Sequence, residues 1–239
     1  MVHLATKRAE KSDSFVEVKE LKKSFSLKHG KNLSVINVPS FCLGAGDQLA
    51  IFGGSGSGKS TFLNLLAGIL TADFGSIRIG NIDISTLPEA ERDVVRSKFM
   101  GYVFQSFHLL QGCTALENIL VTMSVGGSPN KEKARDLLSR VGMSEKENFL
   151  PAQLSMGQQQ RVGIARALAN EPKLILADEP TGSLDPENSK QSIELLKSLS
   201  NERECSLIVV SHDRSVVDRF DSSMNWEAIN QADMANNES

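Results

Sequence analysis

The sequence predicts an α/β fold with a mainly parallel sheet. Three observations carry that reading. The runs "KLILAD" and "SLIVVS" are continuously apolar with helical text between them. A glycine-rich turn joins the apolar run "QLAIF" to the helical run "FLNLLAG", and strand-like text crowds toward the N-terminus. Strands of a parallel sheet are covered by helices on both faces, so they read as unbroken apolar runs rather than alternating ones. At 239 residues the chain is long enough for one large domain or two small ones.

The elements follow in order. The first 14 residues, "MVHLATKRAEKSDS", are polar and predict a mobile N-terminus. "FVEVKEL" and "LSVINVPSFCL", broken by "KHGKN", predict strands of a mainly antiparallel N-terminal β subdomain, and "QLAIF" follows after "GAGD". "SIRIGNIDI" and "MGYVF" are further strand candidates. "ALENILVTM", "KEKARDLLSRVG" and "QLSMGQQQRVGIARALAN" carry the helical period. They predict an inserted α-helical subdomain over about residues 106–165, with a lobe near Thr114 to Leu150. "KLILAD" and "SLIVVS" close the domain, which spans 15–221. Residues 222–239 form a tail whose sheet elements stay open and whose last stretch, "INQADMANNES", predicts mobility.

A net charge of -3 leaves no global basic footprint, so nucleic acid is not an expected partner. Cys42, Cys113 and Cys205 stand far apart, lack the paired spacing of a zinc site and fit no complete disulfide set, which points to a reducing compartment. The N-terminus lacks the apolar core of a signal peptide, and no run approaches the roughly 18 apolar residues of a membrane span. Work at a membrane would need another chain to cross it.

"GGSGSGKST", comprising Gly53, Gly54, Ser55, Gly56, Ser57, Gly58, Lys59, Ser60 and Thr61, satisfies G-x-x-x-x-G-K-[ST] between a strand and a helix. Glycines let successive amides face phosphate oxygens, Lys59 brings charge to the outer phosphates, and the Ser60 hydroxyl can ligate magnesium. A flexible Gly/Ser linker is the alternative, but linkers are not pinned between a buried strand and an apolar helix. The motif predicts a nucleoside triphosphate site using Mg2+.

"LILADEP" ends a buried strand in two carboxylates. Asp178 at the carboxyl end of a parallel strand falls where open α/β sheets bind ligands, and it is a magnesium candidate. Glu179 is expected to point another way and to orient and deprotonate the attacking water. A solvated loop or a helix cap is the bland reading of both. His212, just past "SLIVV", is a candidate donor to the terminal phosphate, although a lone histidine there can be incidental. Gln105 closes "MGYVF", and its side-chain carbonyl could reach magnesium or the attacking water. Ser155 and Gln158 fit a capping box, which does not explain Gly157 between them. Glycine weakens a first turn by about 1 kcal/mol relative to alanine, so something else wants this helix end, and a phosphate is one candidate.

The order "GGSGSGKST", Gln105, "LSMGQQQRV", "LILADEP", "SLD" at Ser183 to Asp185, and His212 resembles the ATP-binding cassette ATPases, from about Phe15 to Asp221. "GQQQRVGIARALANEPKLILADEPTGSLD" and "YVFQSFHLL" are similar to the subgroup with the lipoprotein-releasing, macrolide-export and cell-division cassettes. The resemblance implies a P-loop NTPase core and a head-to-tail dimer, with ATP on one cradle covered by Ser155, Gly157 and Gln158 of the other protomer. It implies that Phe25 stacks on adenine, against the alternative of an apolar core position. It also implies that Asp185 speaks across the dimer, a role that can coexist with a helix N-cap. Met156 stands where the family usually has glycine.

The same resemblance implies a cytoplasmic ATPase, peripheral on the inner face of the cell membrane, that drives a separate transmembrane permease subunit. "SFHLLQGCTALEN", beside Gln105 and the helical lobe, is the expected contact with that subunit, unless its apolar residues are ordinary core. The alternative function is a nucleotide-switched protein that acts on a membrane scaffold without transport. A soluble cassette for DNA repair or translation is weakened by the short length and the lack of a long heptad insertion or second cassette.

Overall fold

The computed structural model describes residues 14–26 and 32–232. The expectations for the first 13 residues and for the end from residue 233 onward lie outside the described residues.

Strands β1 (Ser14–Ser26), β2 (Asn32–Gly44), β4 (Phe74–Ile79) and β5 (Ile82–Asp83) form an antiparallel sheet in the order β2-β1-β4-β5. Val16, Val18 and Leu21 of β1 are buried, so the inward parity slips by one between Val18 and Leu21. The cause is an irregularity opposite β4, with Glu20 at φ 49°. Gly75 sits there at φ 92°, where a Cβ would lie 2.4 Å from the Glu20 carbonyl oxygen. Only glycine tolerates both constraints.

The second sheet is parallel throughout, in the order β6-β7-β8-β3-β9. Its strands are β3 (Gln48–Phe52), β6 (Met100–Val103), β7 (Leu174–Asp178), β8 (Ser206–Ser211) and β9 (Ser223–Asn225). Leu174 and Leu176 of β7 pack into a core shared with the antiparallel sheet and helix α1 (Lys59–Leu66). Ile175 and Ala177 point the other way, into a core built with helices α3 (Ala115–Val125), α4 (Lys131–Arg140), α5 (Met156–Ala167) and α6 (Pro186–Glu202). That division is why "KLILAD" has no polar alternation. Helix α2 (Glu89–Phe99) leads into β6, and the short α7 (Arg214–Val217) follows β8. Thr114 and Glu117 form a capping box on α3, and Asn130 caps α4.

Residues 222–232 do not leave the fold. β9 pairs in parallel with β3, matching Ala50 to Ser223 and Phe52 to Asn225, and α8 (Trp226–Ile229) follows at once. Ile229 and Asn230 are buried, so the expected mobility does not begin at "IN". β9 was illegible because all three of its side chains are exposed. It is a strand only because the edge of β3 accepts its backbone. Among the described residues no helix is long and apolar enough to cross a membrane.

Candidate functional site

β3 delivers the chain to Gly53, whose amide donates to the Ser211 carbonyl at 3.2 Å, and the loop then curls into α1. Gly58 caps α1 at φ 99°, and a Cβ there would come within 3.0 Å of the Val35 carbonyl oxygen. α1 has no side-chain cap and no acidic residue in its first turn. Its initial amides and positive dipole end are therefore free for an anion.

Lys59 is 5% exposed, and its ammonium donates to the carbonyls of Gly53 at 2.8 Å and Gly54 at 2.7 Å. The Glu179 carboxylate lies 3.7 Å from the same nitrogen. Ser60 Oγ donates to Asp178 Oδ1 at 2.9 Å. Burial pushes the Asp178 carboxyl above its usual range, and the Glu179 charge adds to that; the Ser60 bond and Lys59 oppose it. A hydroxyl and a half-buried carboxylate side by side are hard oxygen donors of the kind Mg2+ takes, with phosphate and water completing its shell. Among the described residues no three His, Cys, Asp or Glu side chains gather as a metal cage.

Glu179, the next residue, adopts a left-handed conformation at φ 45°. Such a backbone costs about 1–3 kcal/mol for a residue with a side chain. Its carboxylate accepts from the Ser211 hydroxyl at 2.9 Å and from the His212 amide at 3.0 Å, and it lies 2.9 Å from His212 Nδ1. The site cavity, about 350 Å³, is lined by Val35, by Ser55 through Thr61, and by Gln105, Glu179 and His212. Gln105 also packs on Gly182, where a Cβ would fall 2.8 Å from Gln105 Nε2.

The remaining candidates lie elsewhere. Phe25, opposite Leu33 near the end of β1, is 37% exposed rather than packed in the core, with the Lys23 ammonium 5.7 Å from its ring centre. Ser155 and Gln158 form the expected box, with Gln158 N donating to Ser155 Oγ at 3.3 Å and Ser155 N to Gln158 Oε1 at 3.0 Å. Gly157 has a reason within its own chain that the sequence did not reveal. A Cβ on it would sit 2.7 Å from Asn188 Oδ1, on α6. Asn188 Nδ2 in turn donates to Asp185 Oδ2 at 2.6 Å. Asp185 is the N-cap of α6, accepting from the amides of Glu187 and Asn188, and the Asn188 contacts hold its carboxyl below the usual range. Met156, at the start of α5, is 55% exposed.

The segment after Gln105 divides. Phe107, Leu109, Ala115 and Leu116 are buried, so most of the apolar residues of the expected contact surface are core. Phe107 and His108 hold φ of 58° and 47°, and the Arg166 guanidinium donates to both their carbonyls. Leu110 is exposed and joins Phe104, Val121 and Val125 in a groove of about 560 Å³, larger than the cavity at the glycine-rich loop and separate from it. The site residue missed altogether is Trp226, whose indole N–H donates to the Ser57 carbonyl at 2.6 Å. A lone tryptophan in polar text was the only signal.

Comparison with known proteins places this geometry in context. A family model described as ABC transporter matches residues 36–182. The chain is 42% identical over 215 residues to the lipoprotein-releasing system ATP-binding protein LolD of Treponema denticola, covering 89% of this chain and 95% of the relative. It is 39% identical over 207 residues to the methionine import ATP-binding protein MetN 2 of Enterococcus faecalis, covering 85% of this chain and 59% of the relative. A solved structure of the ATP-binding cassette MJ0796, a dimer in a post-hydrolysis state bound to ADP and Pi, superposes with a TM-score of 0.81 at 34% identity. That match covers 88% of this chain and 93% of the other.

Proposed function

The chain belongs to the ABC transporter family as an ATP-hydrolysing subunit, and from that premise we propose how its residues divide the work. The loop from Gly53 to Thr61 holds the triphosphate, with Lys59 on the outer phosphates. Ser60, Asp178 and Gln105 hold Mg2+, which when bound neutralises charge on the phosphate oxygens. Glu179 orients the attacking water and takes its proton. The observation that carries this role is its hydrogen bonding. The Ser211 hydroxyl and the His212 amide occupy about two of the four acceptor sites of the carboxylate, leaving room for water. His212, with Nδ1 2.9 Å from the Glu179 carboxylate, donates from Nε2 to the terminal phosphate as the imidazolium, in which both ring nitrogens carry a proton.

Ser155, Gly157 and Gln158 lie away from the chain's own cavity, which supports their service to ATP on a second protomer, with Asp185 at the same junction. Phe25, exposed at the end of β1, stacks on the adenine. The groove containing Leu110, Val121 and Val125 receives a transmembrane permease subunit and holds the cassette on the cytoplasmic face of the membrane. Relatives named for lipoprotein release and for methionine import favour transport over a scaffold-linked switch, and the lipoprotein-release type fits the relative matched over nearly its whole length.

The test is Glu179→Gln in the purified protein. ATPase turnover falls about 100-fold or more while ATP binding persists, and the bound variant accumulates as a dimer in light scattering. Turnover that survives the substitution refutes the assigned role. Co-purification of the full chain from its native membrane identifies the permease, and a partner without a transport pathway refutes the transport reading.

A further inference from the structure

β9 and α8 have no task in the proposed division of work, yet they reach the phosphate-binding loop at Ser57 and Gly53 and the elements beside it at Phe62, Val35 and Asn37. Trp226, 1% exposed, donates its indole N–H to the Ser57 carbonyl at 2.6 Å. Its Cβ would lie 2.6 Å from a Cβ built on Gly53, so the loop's first residue approaches Trp226 as only a glycine can. Its ring packs on Phe62 of α1 at 5.2 Å between centres. Asn230 then donates to the Val35 carbonyl at 2.9 Å and accepts from the Asn37 amide at 2.7 Å. Val35 lines the cavity and meets Gly58 through that same carbonyl.

We propose that Trp226 is a positioning residue for nucleotide binding, and that the segment from Ser223 to Gln231 is a staple that sets the phosphate-binding loop before ATP arrives. The reason is peptide geometry. In a trans peptide the C=O and the following N–H point in opposite directions, so a carbonyl fixed at Ser57 also fixes the Gly58 amide. The indole holds the Ser57 carbonyl on its own buried side. The Gly58 N–H is thereby aimed the opposite way, as a donor for phosphate. Gly58 can adopt either sign of φ, so without the indole this peptide plane flips easily and presents a carbonyl dipole to an anion. Sequence patterns do not reveal the staple, because its anchor is one tryptophan in a polar tail.

This inference rests on the reading that ATP occupies the Gly53–Thr61 loop, and the experiment separates the two. In the full-length chain Trp226→Phe keeps a ring against Phe62 and removes the N–H. The Kd for ATP, measured by competition against a fluorescent ADP analogue, rises about five- to tenfold, the loss expected for one hydrogen bond. KM rises in parallel, kcat moves less than twofold, and the nucleotide-free Tm stays within about 3 °C. A purely structural role would do the reverse, lowering Tm and leaving the Kd of folded protein unchanged. Because the chain has a single tryptophan, wild-type emission reads the same contact directly. ATP shifts that emission in the wild type and not in Lys59→Ala, a measurement that needs no folded tryptophan variant. A Kd within twofold of wild type for Trp226→Phe, or emission indifferent to ATP while ATP binds, overturns the role of Trp226. Unchanged ATP affinity in Lys59→Ala refutes the site reading itself and removes the staple's function with it.

Discussion

Gly157→Ala separates two reasons for a glycine at the start of α5. The new Cβ would stand 2.7 Å from Asn188 Oδ1 and 3.1 Å from Asn188 Cγ. The Asn188 side chain cannot swing aside freely, because its Nδ2 is bonded to Asp185 Oδ2 at 2.6 Å. Overpacking of this kind costs about 1–3 kcal/mol, and breaking the Asn188 bond adds about 1 kcal/mol. Alanine returns at most about 1 kcal/mol through helix propensity. The net loss is about 1–3 kcal/mol, which lowers Tm by about 3–10 °C for a chain of this size.

In an Asn188→Ala background the obstacle is gone, so Gly157→Ala becomes neutral or stabilising by up to about 1 kcal/mol. Thermal unfolding of the four proteins of this cycle, without nucleotide, measures the sign change. An equal loss in both backgrounds refutes the contact as the reason. ATPase assays on the same set address the partner's ATP. If Gly157 also admits a phosphate from another protomer, the double variant regains stability but not turnover.

Two further outcomes follow from local geometry. Gly101→Ala places a Cβ 2.2 Å from the Ala167 carbonyl oxygen and 3.0 Å from its carbonyl carbon, so β6 and α5 must separate. Unfolding should show a loss of about 2–3 kcal/mol, and a Tm within 2 °C of wild type would contradict it. Glu117, bonded by its side chain to the Thr114 amide in the α3 capping box, titrates below its usual 4.5, chiefly through that backbone bond. A carboxylate with a depressed folded pKa stabilises above the unfolded value, and the effect is lost as pH falls through the folded value. Wild type should therefore exceed Glu117→Gln in stability at pH 7, with the gap closing below 4.5 in denaturant titrations. A gap that persists in acid would refute the ionic contribution of the box.

Much of the fold and of the candidate site was legible because local chemistry demanded particular residues. β7 and β8 announced themselves because both of their faces are buried, leaving no polar positions between their ends. The cradle was legible because a loop that turns sharply from β3 into α1 needs glycines where φ is positive, at Gly56 and Gly58. The Ser155 and Gln158 box was legible because both partners lie within one turn. Other features left no mark on their own stretch of sequence. "SFHLL" reads as an apolar surface, yet Phe107 and Leu109 are buried, under α3, which begins several residues later. β9 reads as polar tail because only its backbone is used.

The sequence by itself determined the class of fold, the glycine-rich turn between β3 and α1 and the carboxylate pair that ends β7, since each rests on residue types within a few positions of one another. Only the tertiary structure decided why Gly157 is glycine, where Glu179 points and what Trp226 does. Those answers depend on Asn188, His212 and Ser57, which stand 31, 33 and 169 positions away along the chain. A contact between distant segments constrains the identity of a residue through shape and a single hydrogen bond, and neither has a period or a spacing that a sequence can display.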